Sequence, residues 1–236
     1  GRLAEAILDA FQADNQRTST GALISASIGI ALYPDNAEDA EHLISQADTA
    51  LYRAKQDGRG VYRYYQSEMG AEVRDRRLLE HDLRHAISRQ ELSLAWQPQI
   101  DVQSGEVTGF EALLRWTHPV RGNVSPAVFV PIAEESGLIL QIGDWVLRTA
   151  AQEAAGWSAP LTAAINVSAV QLHAPNFAHS LHDVLLQSGL SPARLEIEIT
   201  ETALVRDMVR AVTTLRQIRA LGVRIRSEER RVGKEC

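Results

Sequence analysis

Three side chains with oxygen donors lie at or near the ends of short apolar runs in this sequence. Glu111 lies near the end of one run, Asn166 follows a second, and Glu198 lies in a third. If the runs are strands of one parallel barrel sheet, reactive side chains at their carboxyl ends meet at one edge. Carboxylate and amide oxygens aimed at one point are the ligands that Mg²⁺ and Mn²⁺ prefer. The residue types therefore suggest a divalent-metal site.

Each of these residues also has a simpler interpretation. A single glutamate on a strand, such as Glu111, is more often exposed or in a salt bridge. Asn166 can simply cap the turn that follows it, through a hydrogen bond from its side chain to nearby backbone. Glu201 can be an acidic residue in the first turn of a helix, where the helix dipole favours it. Spacing alone therefore supports only a hypothesis of a metal site.

The elements that must carry these residues alternate between strands and helices. The pattern first predicts a hairpin, with strands over 92–96 and 107–114 and a turn over 101–106. Strands and helices then alternate with short loops, which indicates parallel βα units that close into a barrel when enough are present. The predicted elements are helices 126–136, 142–156, 177–188 and 205–221, strands 162–167 and 195–200, and a strand that begins at 223.

The first part of the chain predicts a smaller α/β segment. Apolar periodicity favours a helix over 2–11, a buried strand over 23–33, a helix over 39–57 and a short strand over 61–65. A further helix over 75–89 is flanked by charged residues rather than glycine or serine. We expect it to connect the two parts as a stiff linker.

Composition excludes several classes of protein. Of 236 residues, 45% are hydrophobic and 23% charged, which is ordinary for a globular chain and argues against disorder or a fibre. The net charge of −6 does not favour wrapping of nucleic acid, which needs clustered basic residues. The single cysteine, Cys236, allows no internal disulfide and fits a cytoplasmic setting, although the parent protein could be membrane-anchored through preceding segments.

Five motifs in the second part resemble, in the same order, those of EAL-family cyclic-di-GMP phosphodiesterases. The stretch FEALLRW at 110–116 resembles the sequence that gives the family its name. One such motif is a weak indication, whereas five in order over about 78–225 are specific. The other four are QPQI at 97–100, FVPIAEESG at 129–137, NVS at 166–168 and EITE at 198–201.

The resemblance implies hydrolysis of cyclic di-GMP to the linear dinucleotide pGpG, with two Mg²⁺ or Mn²⁺ ions activating a water. By motif, three residues are implied as metal ligands and two as contacts of the substrate. Glu201 is implied to hold a catalytic loop in place rather than to bind metal. The implied ligands are Glu111, Asn166 and Glu198, and the implied substrate contacts are Gln97 and Arg115, the latter through a phosphate oxygen.

The first part resembles the closing portion of a GGDEF domain, the diguanylate cyclase fold. The resemblance rests on SASIGIA at 25–31 and ADTALYRAKQDGRG at 47–60. Lys55 and Arg59 match positions that touch nucleotide phosphates, which implies GTP as a ligand of the parent. Alternatively they form a solvated basic helix end that the helix dipole favours.

Together these patterns predict an α/β chain: a C-terminal piece of a GGDEF domain followed by an incomplete EAL-type TIM-like barrel. The expected boundaries are 1–68 for the GGDEF part, 69–90 for the connecting helix and 91–225 for the EAL part. The last stretch, RSEERRVGKEC at 226–236, reads as the translation of a sequencing-adapter oligonucleotide and is set apart from fold reasoning.

The EAL family places a pair of aspartates directly after the strand that begins at Val223, where this chain has Arg226 and Ser227. We therefore expect the 236-residue chain to be an inactive fragment whose barrel cannot close, and its parent, which can form a homodimer, to be active. Two alternatives are a degenerate domain that binds cyclic di-GMP without cleaving it, and a regulator in which GTP bound to the GGDEF part activates the EAL part. The uninterrupted gene sequence beyond Ile225 tests this, since the expectation of an active parent requires an aspartate pair there.

Overall fold

A computed structural model describes residues 1–17, 24–200 and 207–227. The chain divides into two compact units, which cover 1–78 and 79–236. In the described residues, none of the helices combines the length and the apolar character that crossing a bilayer requires.

The first unit has the predicted helix–strand–helix–strand order. Its two short strands pair in parallel, with Ile28 opposite Tyr62 and Ile30 opposite Tyr64. The second helix begins where Asp39 accepts a 2.9 Å hydrogen bond from the His42 backbone N–H, a normal cap for a helix start. The elements are α1 (Arg2–Arg17), β1 (Ile28–Ile30), α2 (Ala40–Gln56), β2 (Tyr62–Tyr64) and the beginning of α3 (Ser67–Leu83).

Two predicted elements of this region differ from the structure. The strand expected over 23–33 is only Ile28–Ile30, because its partner β2 offers three residues for pairing; residue 23 lies outside the described part. The helix expected over 75–89 begins earlier, at Ser67, and ends at Leu83. After Leu83 the amides of His85 and Ala86 bond to carbonyls three residues back, which tightens the chain into turns.

The second unit follows the predicted order closely. The predicted bounds of helix 126–136, strand 162–167 and helix 177–188 are those observed. Three short elements were not predicted: β5, α6 and a 3₁₀ turn at Pro192–Arg194. The elements are β3 (Leu92–Ile100), β4 (Val107–His118), β5 (Gly122–Val124), α4 (Pro126–Ser136), α5 (Ile139–Ala155), β6 (Thr162–Val167), α6 (Ala169–Leu172), α7 (Phe177–Ser188), β7 (Leu195–Ile199), α8 (Met208–Ala220) and β8 (Arg224–Ser227).

These strands form an open sheet in the order β3-β4-β6-β7-β8, with β5 paired beside β4. The first hairpin is antiparallel, and β4, β6, β7 and β8 are parallel, as the alternating pattern predicts. The approach of β4 to β6 is close: a Cβ on Gly109 would lie 2.4 Å from the Thr162 carbonyl oxygen. Within the described residues this strand order ends at β3 and β8, which do not pair with each other, as expected for a barrel that is not closed.

The two faces of the sheet differ in chemistry because side chains alternate along each strand. One face carries apolar residues that pack with the helices in a single core, among them Trp116, Ile165 and Ile197. On the other face the parallel strands carry Glu111, Asn166, Glu196 and Glu198. The helix-covered face stabilises the sheet, and the opposite face carries these polar side chains.

A prediction concerns Asp101, which shapes the hairpin turn between β3 and β4. Its Oδ1 accepts hydrogen bonds from the Ser104 amide (2.8 Å), the Ser104 hydroxyl (3.1 Å) and the Gln103 amide (3.0 Å). These bonds, the one from the Ser104 amide above all, hold the pKa of the Asp101 carboxyl below its usual value. The carboxylate therefore stabilises the fold above about pH 3.9, the pKa of an unfolded aspartate. That contribution is lost as the pH falls through the lower folded-state pKa.

We expect Asp101→Ala to lower the urea midpoint of unfolding at pH 7, by a difference that shrinks as the pH falls below about 4. Asp101→Asn is the control, since its amide oxygen can keep accepting the same bonds without titrating. A difference for Asp101→Ala that stays constant from pH 7 to pH 3 would contradict the assignment.

Candidate functional site

Glu111 and Asn166 come together on adjacent parallel strands. Glu111 is opposite Ala164 in the β4–β6 register, so Asn166 lies two residues further toward the carboxyl end of β6. The Asn166 Nδ2 donates a 2.8 Å hydrogen bond to Glu111 Oε1. This bond fixes the amide plane of Asn166, and the amide oxygen is the atom that can coordinate a cation.

Glu198 completes the group that the sequence pattern predicts. It is directly opposite Asn166 in the β6–β7 register and is only 2% exposed. Its Oε1 accepts a 3.2 Å hydrogen bond from Nε2 of Gln99, a residue of β3, the first strand in the sheet order. Glu111 is also buried, at 6% exposure. Two carboxylates and an amide thus share one face of three neighbouring strands. Asn166 and Glu198 lie near the carboxyl ends of β6 and β7, whereas Glu111, expected near the end of its strand, lies in the first half of β4 because that strand continues to His118.

The buried carboxylates attract a positive side chain from β8. Arg226 is opposite Glu198 in the β7–β8 register, and its guanidinium lies 3.2 Å from Glu196 Oε1 and 3.8 Å from Glu198 Oε1. Burying a carboxylate is costly unless it is paired or hydrogen-bonded. The half-exposed guanidinium supplies part of that compensation, at a distance from Glu196 where ionic attraction operates without a well-aligned hydrogen bond.

A cavity of about 440 Å³ opens beside these groups. It combines polar groups, among them Arg115, Asn166 and Glu198, with an apolar wall that includes Val130 and Ile142. The Arg115 guanidinium donates one 3.0 Å hydrogen bond to the carbonyl of Leu114. The cavity can therefore hold a ligand that has both an anionic group and an apolar face.

The other predicted site residues are placed less directly. Gln97 is exposed, lies opposite Glu111 in the β3–β4 register and does not line the cavity. Glu201 lies outside the described residues, whereas Thr200 lines the cavity. In the first unit, Lys55 and Arg59 are both exposed near the end of α2, and the Arg59 amide donates to the Ala54 carbonyl.

The donor set is suited to a hard divalent cation. Over 1–17, 24–200 and 207–227, no cluster of three or more histidine, cysteine, aspartate or glutamate side chains has the arrangement of a metal site. The cluster instead offers two carboxylates, Glu111 and Glu198, and one amide oxygen, Asn166. Oxygen ligands of this kind fit Mg²⁺ or Mn²⁺, which keep several waters and take few protein carboxylates.

Sequence reasoning missed three participants. Gln99 shares a strand face with Gln97 by the period of two, a signal that could have found it. Arg226 belongs to the stretch set apart above as adapter-like, yet β8 continues two residues past the expected boundary at Ile225 and places it beside the site. Gln171 lines the cavity from α6, and it is buried at 4% exposure, so no sequence pattern separated it from a core residue.

A mainly parallel βα sheet with polar groups at the carboxyl ends of its strands is the arrangement of barrel enzymes, whose active sites lie at that edge. Comparison with known protein families identifies the family of this chain. The chain belongs to the EAL domain family, whose model matches residues 80–226. Residues 1–61 match the model of the diguanylate cyclase, GGDEF domain.

Several known proteins resemble the chain over most of its length. An uncharacterized signaling protein of Caulobacter vibrioides is 49% identical over 97% of the chain. The bifunctional diguanylate cyclase/cyclic di-GMP phosphodiesterase MucR of Pseudomonas aeruginosa is 39% identical over 94% of the chain. The chain spans only 28% and 33% of the length of these two relatives.

A solved structure of the PaMucR phosphodiesterase in complex with c-di-GMP is also similar. It is 40% identical, with a TM-score of 0.60, over 63% of this chain and 62% of that one. The likeness in three dimensions agrees with the family assignment.

The position of Arg226 generates a prediction about cation binding. Replacing this guanidinium by a carboxylate, as in Arg226→Asp, removes a positive charge and adds a negative one beside Glu198. We expect the variant to bind Mn²⁺ at least about tenfold more tightly than the unmodified chain. A tenfold change in affinity is a small part of the interaction energy between two charges a few ångströms apart. Binding is measured by the loss of the free Mn²⁺ electron paramagnetic resonance signal.

The control is Arg216→Asp, which makes the same change of net charge at an exposed position of α8. Equal Mn²⁺ affinity of the two variants would show that only net charge matters, and would contradict a cation site at Glu198.

Proposed function

We propose that the protein to which this chain belongs hydrolyses cyclic di-GMP to linear pGpG. The observation that carries the proposal is the convergence of Glu111, Asn166 and Glu198 on one sheet face beside a cavity that also contains Arg115. The EAL family assignment, the name of MucR and the c-di-GMP complex of PaMucR support it.

The substrate is an anion with two flat guanine bases whose faces are apolar, and the cavity has complementary groups for the phosphate and for a base face. Arg115 is half-buried and charged, and a guanidinium fork matches the geometry of phosphate oxygens. The apolar wall, with Val130 and Ile142, suits the face of a purine. Gln97 is proposed as a second substrate contact at the exposed rim, opposite Glu111.

Glu111, Asn166 and Glu198 are the residues proposed to hold Mg²⁺ or Mn²⁺. When bound, such an ion lowers the pKa of a water and neutralises charge at a phosphoryl group. The protein's own contribution is to keep these oxygens ordered: Asn166 by its bond to Glu111, and Glu198 by its bond from Gln99. Glu201 is proposed to hold the loop that follows β7.

Turnover by the 236-residue chain itself is expected to be very low, because Arg226 places a positive group beside the proposed metal ligand Glu198. A guanidinium at that position competes with a divalent cation for the same carboxylates. The parent protein is proposed to carry a carboxylate there instead.

Further properties of the parent follow from the same proposal. The match of residues 1–61 to the GGDEF domain supports GTP as a second ligand. Since both nucleotides are intracellular, a cytoplasmic location of these domains is proposed, and a homodimer is proposed for the parent.

The proposal predicts the effect of Glu111→Gln in the parent protein. This change keeps the size of the side chain and removes a ligand charge, so turnover of cyclic di-GMP with Mg²⁺ should fall by more than about 100-fold, the upper range for residues that only support metal ligands. Formation of pGpG is followed by chromatography, with and without GTP.

Glu106→Gln is the matched control, because Glu106 is exposed in the β3–β4 turn. Binding of cyclic di-GMP without any turnover by the unmodified parent would favour a non-catalytic receptor instead. A rise in turnover that requires GTP would favour the regulator in which the GGDEF part activates the EAL part.

A further inference from the structure

The amide group of Gln171 rests directly on the backbone of helix α5. A Cβ added to Gly143 would lie 1.9 Å from Gln171 Nε2 and 2.6 Å from Gln171 Cδ. Real Cβ atoms do not approach other atoms so closely, so Gln171 can occupy this place only because residue 143 is glycine. Gln171 is 4% exposed, which leaves its amide little room to move elsewhere.

From this place Gln171 holds the backbone just beyond β6. Its Oε1 accepts a 3.1 Å hydrogen bond from the Ser168 amide and a 3.0 Å bond from the Ser168 hydroxyl. The Ser168 hydroxyl oxygen in turn accepts a 3.3 Å hydrogen bond from the backbone N–H of Gln171. These reciprocal bonds form a capping box around α6, which is only four residues long.

Ser168, whose side chain caps α6, lies two positions after Asn166. Strand β6 ends at Val167, so the sheet no longer fixes the backbone at Ser168. Asn166 is itself exposed, and its side-chain amide donates a hydrogen bond to Glu111 on the neighbouring strand. The direction in which the chain leaves β6 therefore depends on the cap, which begins directly after Val167, the last paired residue of the strand.

We propose that Gly143 and Gln171 are positioning residues for Asn166: Gly143 makes room for the Gln171 amide, which holds Ser168 and thereby the site end of β6. Neither residue is assigned a contact with the reacting groups. The value of this arrangement for catalysis rests on the proposed function, whereas the arrangement itself can be tested without it.

The first test measures the order of the Asn166 side chain in the 236-residue chain by nuclear magnetic resonance. Its NH₂ signal is identified by its disappearance in Asn166→Asp. In Gln171→Leu and Gly143→Ala, we expect the NH₂ protons to exchange with water about tenfold faster, as for the loss of one hydrogen bond to a charged group. Unchanged exchange in both variants overturns the proposal.

Matched controls separate positioning from loss of fold. Gly156→Ala adds a methyl group at the end of the same helix, where the nearest atom is an ordinary 3.4 Å away, and should leave Asn166 unchanged. Alanine also favours a helix more than glycine does, so disorder at Asn166 in Gly143→Ala cannot come from a weaker α5. If Gly143→Ala fails to fold, Ser168→Ala and Ser168→Thr decide: Thr should keep the cap and Ala should lose it.

A second measurement, Mn²⁺ binding to the same chain, separates this proposal from the proposed function. If Asn166→Ala weakens binding, Gln171→Leu should weaken it about tenfold as well, since supporting residues typically contribute 10- to 100-fold to metal affinity. Weakening by Asn166→Ala alone overturns the positioning role. If Asn166→Ala has no effect while NH₂ exchange still rises in Gln171→Leu, the metal role of Asn166 fails and the positioning role stands.

Discussion

Buried negative charge on one face of a parallel sheet is the constraint on which the second unit depends. Glu111, Glu196 and Glu198 are each less than a tenth exposed, and they lie on two strands separated only by β6. Carboxylates in such a place need hydrogen bonds or cations. Asn166 and the other neighbours of these carboxylates, Gln99 and Arg226, are compensations of this kind.

Much of this arrangement could be predicted from the sequence, and the reason is periodicity. The strand Leu195–Ile199 alternates apolar and acidic residues, so its element type and its inward face follow from the pattern. Asn166 follows from the same argument on β6. By contrast, the limits of β1 depend on the length of its partner, and the end of α3 depends on tertiary turns after Leu83. Such features are set by contacts distant in sequence, which local patterns do not encode.

The contacts that the pattern did not reveal are those that cross between elements. Gln99 reaches Glu198 although β3 and β7 are not neighbours in the sheet, which requires the curvature of the sheet rather than any spacing. The fit of Gln171 onto Gly143 joins two helices through the absence of a side chain. A glycine in a helix normally lowers its stability relative to alanine. A glycine in the middle of α5 therefore indicates that another group approaches the helix backbone closely, but the sequence does not show which residue supplies that group.

Two kinds of support thus act on the same site, and they differ in how local they are. The hydrogen-bonded ladder of the sheet fixes Glu111 and Glu198 through their strands, which are backed by one extended apolar core. Asn166 lies one residue before that ladder ends at Val167, and from Ser168 onward side-chain caps replace backbone pairing. Backbone register tolerates most substitutions, whereas this cap depends on the side-chain oxygen of Gln171 and on the space beside Gly143. The site edge of the sheet is therefore more sensitive to single residues than the sheet itself, which is the expected cost of placing reactive groups where strands end.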